Sequence, residues 1–551
     1  MSKPIKGFHS LLFFLIGLCV FILPLFTLFK MAFEAEGSLN LQNFNAVFHS
    51  VRTVGAIKNT LIIAVASTII SGLFGGIMAV IVAYTNIQMK RLIETMVILP
   101  YVIPGYVVTL SWTSLFSANG PINRLLLELS LSKINMYSIG GIIFVMGLSN
   151  AALVYLNLVD ILRKIPREQE WASLISGYSV KATLRNINLR SVLSPIISGI
   201  VLAFLSSIDN FAIPVTLGSS AGIQVLSTYI YEKAIGFGPN SFNEAAVLSI
   251  ILASLSFVTL FIQWLLLRRT KSLETAPLNH EPRILLSEGK RKALQFGLLL
   301  LLFCINIVPL IFMMLSSFHS GYVKSIFDIS HMSLKNYRFI LTAPSMYQGF
   351  ITSFTITIAA IILCVLLGVW VMHYKQRVNA KATLPIELGA SLTYSTPGIV
   401  LALSMIFYWN QVPNVYGTLK ILLIAYVTRY ALLLLRGSNT AFLAVDSELE
   451  EAALVSGSSH WEKWRRILLP MIKHQLFASS FLMFVGAFTE LTLSSLLAAA
   501  GTKTVGLTIF NLQTSGDNSL AQAYSVIVTL FILVILSIRS SLEKKGRVTN
   551  D

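Results

Sequence analysis

Glu451-Ala452-Ala453 and Gly457, followed by Ile467-Leu468-Leu469-Pro470, are the residues whose types and spacing carry the most chemistry in this chain. They form a polar island between long apolar segments, and the chemistry they offer is docking. Glu448, Glu450 and Glu451 open a predicted short helix, where the helix dipole favours negative charge. Asp446 or Ser447 would cap it. Ala452 and Ala453 are small and helix-favouring, so another protein surface can come close. Gly457 can adopt the left-handed conformation that ends a helix and turns the chain sharply. The next stretch, His460 to Arg466, reads as amphipathic, with Trp461 and Trp464 interleaved with Lys463, Arg465 and Arg466. Pro470 suits the first turn of the helix that follows.

A weaker copy lies 280 positions earlier, where Ala172, Gly177, Ile187 and Leu189 match Ala452, Gly457, Ile467 and Leu469. It departs from the pattern at Trp171, which stands where the second copy has Glu451, at Ser173 and at Arg190; Glu170 substitutes for the acid one step away. Both loops are expected to dock, the first through a different contact surface. The repeat extends further. Val225 and Thr228 match Val505 and Thr508 at the same offset of 280, and Glu94, Tyr101, Pro104 and Gly105 match Glu387, Tyr394, Pro397 and Gly398 at an offset of 293. Agreement at separate places indicates a duplicated chain.

Apolar helices must position these loops. The 551 residues are 55% hydrophobic and 12% charged, against about 25% charged in an ordinary soluble domain. Mean hydropathy is +0.75, and several runs exceed the roughly 18 apolar residues of a spanning helix. The fold class expected is an all-α integral membrane protein with about 12 transmembrane helices, six per half. They fall near 10–31, 57–84, 93–117, 138–162, 192–217 and 243–267, then 293–316, 349–374, 385–410, 418–436, 474–499 and 520–540. The halves are 1–267 and 293–541, with loops at 166–190 and 446–472, a basic linker at 268–292 and a tail at 542–551. An even number of spans per half makes the two repeats parallel. The formal charge of +17 does not indicate nucleic acid, because the cations recur in short polar stretches. Roughly 29 of the 41 Lys and Arg lie on the side holding the two loops, against about 10 opposite, which is the positive-inside pattern. Both termini are therefore expected in the cytoplasm. Lys3 and Lys6 precede an apolar run from Leu11 to Phe29, longer than a cleaved signal peptide's core, so it reads as a retained first helix.

Ionisable residues at membrane depth are costly and tend to face a cavity or the bundle interior. Asp209, Asn210, Thr489 and Glu490, late in the fifth span of each half, are candidates for a translocation path, and Arg429 in the tenth span is a candidate pathway cation or interhelical salt-bridge partner. Asp209 and Glu490 read equally well as headgroup-level residues with local partners. Glu94 and Glu387 fit helix ends beside basic turns better than a path. Cys19, Cys304 and Cys364 sit in separate apolar runs with no metal-binding spacing, and the eight histidines form no cluster, so no metal site, cofactor or catalytic residue is expected.

The string E-A-A-x₃-G-x₉-I-x-L-P resembles the cytoplasmic coupling loop of the membrane subunit of binding-protein-dependent ABC importers, and the duplicated whole resembles two type I permease halves fused. Asp209-Asn210-Phe211-Ala212-Ile213-Pro214 and Glu490-Leu491-Thr492-Leu493-Ser494, with Ile509-Phe510-Asn511, further resemble the ferric-iron uptake permeases. The resemblance implies a bacterial inner-membrane permease fed by an external binding protein that docks on loops including 218–242 and 318–348. It also implies coupling through Glu170, Ala172, Gly177, Glu450, Glu451, Ala452, Ala453 and Gly457. No G-x-x-x-x-G-K-[ST] phosphate loop is present, so the chain is not itself an enzyme; ATP hydrolysis falls to two copies of an ATPase subunit. Thiamine, 2-aminoethylphosphonate and polyamine importers use similar or related permeases. A twelve-span secondary transporter driven by an ion gradient is the competing class, but it has no need of coupling loops.

Overall fold

A computed structural model describes residues 3–35, 37–117, 120–236, 238, 240–268, 278–319 and 329–548, with side chains between 7 and 538. The side chains of Lys3, Lys6 and the tail 542–551, part of the 268–292 linker and part of the 318–348 loop lie outside it.

The principal helices of the first half are α1 (Gly7–Phe33), α2 (Val51–Tyr84), α3 (Lys90–Val102), α4 (Gly105–Leu115), α5 (Ile139–Lys164), α6 (Arg167–Ile175), α7 (Val180–Ser191), α8 (Leu193–Asp209) and α9 (Ser241–Leu267). The second half supplies α10 (Glu288–Ser317), α11 (Pro344–Arg377), α12 (Leu384–Ser395), α13 (Gly398–Trp409), α14 (Leu419–Leu443), α15 (Ser447–Val455), α16 (His460–Phe488) and α17 (Asn518–Ile538). Among the described residues, eight helices are long and apolar enough to cross a membrane, or ten if each bent pair counts as one span. Each of the twelve expected segments is helical, but some are not the single rods the hydropathy suggests. α3 and α4 meet at 100°. The cause is Pro104, which pushes Ile103 to an extended φ −74, ψ 134; Pro397 does the same to Thr396 between α12 and α13, at φ −77, ψ 133. α14 is 25 residues long but carries Lys420, Arg429 and Arg436.

The chain folds into two compact units that are discontinuous in sequence. One comprises Met1–Thr53, Tyr229–Ser254 and Thr342–Thr508; the other comprises Val54–Thr228, Leu255–Leu341 and Ile509–Asp551. In the first, α1 packs on α12 and α13, while α11, α14 and α16 pack together. Gly17 makes this possible, since a Cβ there would lie 2.8 Å from the Pro385 carbonyl carbon. In the second unit, α10 packs on α3 and α4, and α5 packs on α3 and α8. Its core includes Val82, Ile93, Tyr155, Leu158, Leu162, Leu298 and Leu302. Pro100 inside α3 frees the Met96 carbonyl, and the Asn306 amide from α10 donates to that oxygen at 2.8 Å. The opening helix of each repeat thus belongs to the unit that holds the core of the other.

Candidate functional site

The two loop segments fold alike, residue for residue at the 280 offset. α6 and α15 are nine residues each. Both end in a left-handed glycine, Gly177 at φ +86 and Gly457 at φ +84. Gly177 N–H donates to the Leu174 carbonyl and Tyr178 N–H to that of Ser173; Gly457 and Ser458 donate likewise to Leu454 and Ala453. This doubled closure is the Schellman ending that a glycine at that position permits. Ser179 and Ser459 then cap the next helix, Ser459 through a full capping box with Glu462 that Ala182 cannot supply in the first copy. A π-helical turn follows in both, Leu184–Asn188 and Trp464–Leu468. The first copy keeps that turn although Arg190 stands where Pro470 does, so the proline does not create it. Asp446 is the N-cap of α15, its carboxylate accepting from Glu448 N–H at 3.1 Å.

The acids divide by direction. Glu450 and Glu170 point inward, 5% and 6% exposed, while Glu451, Ala452, Trp171 and Ala172 face out and Ala453 is buried. Glu170 is therefore the counterpart of Glu450 and does not substitute for Glu451. Glu450 accepts from Arg377 Nε at 2.7 Å and Lys463 Nζ at 2.8 Å, with His373 Nε2 3.8 Å away. Burial opposes ionisation of its carboxyl, but the hydrogen bonds from Lys463 and Arg377 overcome that and hold its pKa below the usual value. Glu170 accepts from the Asn188 amide and pairs with Arg283 Nε at 3.1 Å. The expected amphipathic pattern of 460–466 needs correction, because Lys463 is buried against Glu450 while Trp461 is 70% exposed. Nothing in the sequence marks Arg377, Lys463, Asn188 or Arg283 as partners of these acids. At the 293 offset Arg377 falls on Tyr84, so the repeat does not point to it as a shared partner.

The loop ends are apolar and uncovered in the isolated chain. Ile175 is 87% exposed and Val455 89%, at corresponding positions, each beside an exposed leucine, Leu174 and Leu454. Trp171 and Trp461 on the same two loops are also exposed, 52% and 70%.

The copies differ just above the loops. His373, Phe442 and Trp464 form a ring cluster in the second, with centroids 4.9 Å apart for His373 and Trp464. Their counterparts Val80, Leu162 and Leu184 line an open cavity of about 460 Å³. Leu184→Trp, which copies the second loop, is expected to occupy part of it and raise stability by about 1 kcal/mol. A higher thermal unfolding midpoint is the expected reading, and a lower one would mean the cavity walls cannot accept the ring.

The remaining candidates sit at helix breaks. Asn210 Oδ1 accepts from Ile213 N–H and Glu490 Oε1 from Leu493 N–H, both at 3.0 Å, so each starts the short helix that follows. Asp209 ends α8. Thr489 donates to the Val485 carbonyl, and Glu490 Oε2 accepts from Tyr430 at 2.7 Å. Arg429 donates to the Thr396 and Tyr394 carbonyls, which the break before Pro397 leaves open. The structure brings Arg429, Thr489 and Glu490 into one unit and Asp209 and Asn210 into the other. Glu94 and Glu387 pair with Arg163 and Lys375 at helix ends, 2.6 Å each.

Residues 71–272 and 365–545 match the family described as binding-protein-dependent transport system inner membrane component, once in each half. The chain is 23% identical over 528 residues to the Fe(3+)-transport system permease protein FbpB 2 of Haemophilus influenzae, covering 95% of this chain and 96% of that one. It is 22% identical to the probable ABC transporter permease protein y4fN of Sinorhizobium fredii, covering 94% and 92%. The putative 2-aminoethylphosphonate transport system permease protein PhnU of Salmonella typhimurium is 28% identical over 43% of this chain and 85% of its own length. Among solved structures, a bacterial ABC transporter involved in alginate import aligns with a TM-score of 0.41 and 18% identity, over 49% of this chain and 96% of that one.

Proposed function

Because the chain belongs to the family of binding-protein-dependent transport system inner membrane components, we propose that it is the permease of an ATP-driven importer whose cargo is ferric iron. Both α6 and α15 face the cytoplasm in this reading, as do both termini, and each docks one copy of an ATPase subunit. An external binding protein delivers the cargo. ATP-driven closure of the two ATPases, received through the loops, shifts the permease from an inward-open to an outward-open state, and the ligands act by favouring different states. The residues proposed for the path are Arg429, Thr489 and Glu490 in one unit and Asp209 and Asn210 in the other.

One observation carries the reading: the loop fold is duplicated down to its Schellman glycine, buried acid and exposed aliphatic tip. Iron is favoured over other cargo because a ferric permease matches nearly end to end. The 2-aminoethylphosphonate reading rests on the higher identity of a relative that matches less than half the chain.

Gly457→Glu tests the loop. Nothing lies within 4 Å of a Cβ at Gly457, so the substitution meets no steric wall, only the left-handed backbone at φ +84, which costs a non-glycine residue about 1–2 kcal/mol. The expected result is normal insertion, an ATPase that still hydrolyses ATP, and lost uptake of radioactive ferric iron. Uptake at the wild-type rate would remove the loop from the mechanism.

A further inference from the structure

We infer that Arg283, in the segment joining the two halves, is a positioning residue of the first coupling loop, doing for Glu170 what Arg377 does for Glu450. The inference rests on the coupling role proposed for α6.

The two guanidiniums reach the same pair of acceptors. Arg377 Nε meets Glu450 at 2.7 Å and its Nη2 donates to the Val445 carbonyl at 2.8 Å. Arg283 Nε meets Glu170 at 3.1 Å and its Nη2 donates to the Ile165 carbonyl at 2.7 Å. Glu170 and Ile165 are the counterparts of Glu450 and Val445 at the 280 offset. Yet the arginines come from unrelated places. Arg377 ends α11, and the corresponding end of α2 carries Tyr84, which has no cation to offer. Arg283 fills that vacancy from the linker, its guanidinium 4.5 Å above the Tyr84 ring.

The segment is fixed for this task. Arg283 N–H and Ile284 N–H both donate to the Tyr84 carbonyl at 2.8 Å. Arg283 Nη1 donates to the Leu162 carbonyl at 2.7 Å, and Asn86 exchanges two hydrogen bonds with the Leu286 backbone. Arg167, at the start of α6, donates to the Pro282 carbonyl at 2.8 Å. The Arg283 and Glu170 side chains are 6% and 8% exposed, so neither charge can turn to water instead. A linker serving only as a tether needs none of this. Here it is a structural part of the first loop, and the second loop has its cation built in.

The test uses the full chain with its ATPase subunit and binding protein in liposomes, comparing wild type, Arg283→Ala and the double variant Arg283→Ala/Tyr84→Arg. The double variant moves the cation to where the second half keeps it. Uptake per ATP hydrolysed is expected to fall roughly two- to thirtyfold in Arg283→Ala and to recover in the double variant. Hydrogen exchange should rise in 167–178 but not in 447–458, and return with the rescue. Unchanged exchange and coupling in Arg283→Ala would overturn the inference, as would failure of Tyr84→Arg to restore either. If Arg283→Ala does not accumulate, recovery of accumulation in the double variant supports the inference and its absence refutes it. A local exchange change with no ATPase partner found would instead sink the coupling role and leave the positioning intact.

Discussion

Glu450→Ala is expected to abolish coupled uptake and to cost about 3 kcal/mol of stability, because it strands one buried cation, Lys463, and one partly buried cation, Arg377. Arg377 and Lys463 are 18% and 9% exposed at the side chain and share this one carboxylate. Without it their charges keep the desolvation cost and lose the compensating anion. The damage should be local first, as faster hydrogen exchange across 447–458. Removing Lys463 in the same chain should make the double variant less than additive, since part of the penalty belongs to the abandoned lysine. A neutral Glu450→Ala, with exchange unchanged, would show that the carboxylate does not hold α15. The pH dependence has a definite sign. The Glu450 pKa is lowered on folding, so its contribution is complete above the ordinary glutamate range of about 4.3 and is lost as pH falls through the lowered folded value. Protection of 447–458 should therefore be flat near neutrality and fall only in acid.

Ile175→Glu combined with Val455→Glu is expected to eliminate capture of the ATPase subunit while leaving the permease folded. Both side chains are almost wholly exposed in the isolated chain, so folding should shift by no more than about 0.5 kcal/mol. Docking is different, because a carboxylate pressed into an apolar contact loses its water. A residue central to such a contact is worth about 2 kcal/mol or more, a roughly thirtyfold loss of affinity at each loop. Co-purification of the tagged permease with its ATPase reads the effect. Single variants should retain weakened capture through the intact loop. Full recovery of the ATPase with the double variant would place the docking surface elsewhere.

How much of this was legible in the sequence varies by residue. Gly177 and Gly457 could be read as helix-ending turns because glycine adopts that backbone without the strain other residues meet, and they are the positions at which both copies turn. The twelve helical segments follow from hydropathy. The breaks at Pro104 and Pro397 were less visible, although both prolines stand in the repeat, because a hydropathy window averages over a sharp bend. The partners of the buried acids were not legible. Arg377 is 73 residues from Glu450, and only the fold brings the end of α11 beneath α15. Arg283 lies among linker cations that any positive-inside count treats alike, and nothing local separates it from Arg291 or Lys292. The compact units were hidden for a related reason. Hydropathy identifies α1 and α10 as helices but not the core each one joins, and that depends on contacts such as Gly17 against Pro385.

Reconstitution in liposomes decides whether the chain moves cargo only when an ATPase drives it. The purified chain, alone and then with its ATPase subunit and loaded binding protein, would be assayed for accumulation of radioactive ferric iron with ATP inside or absent. The expected result is no accumulation by the chain alone under any ion gradient, and uptake that needs the ATPase, the binding protein and hydrolysable ATP together. Gradient-driven accumulation by the chain alone would contradict it.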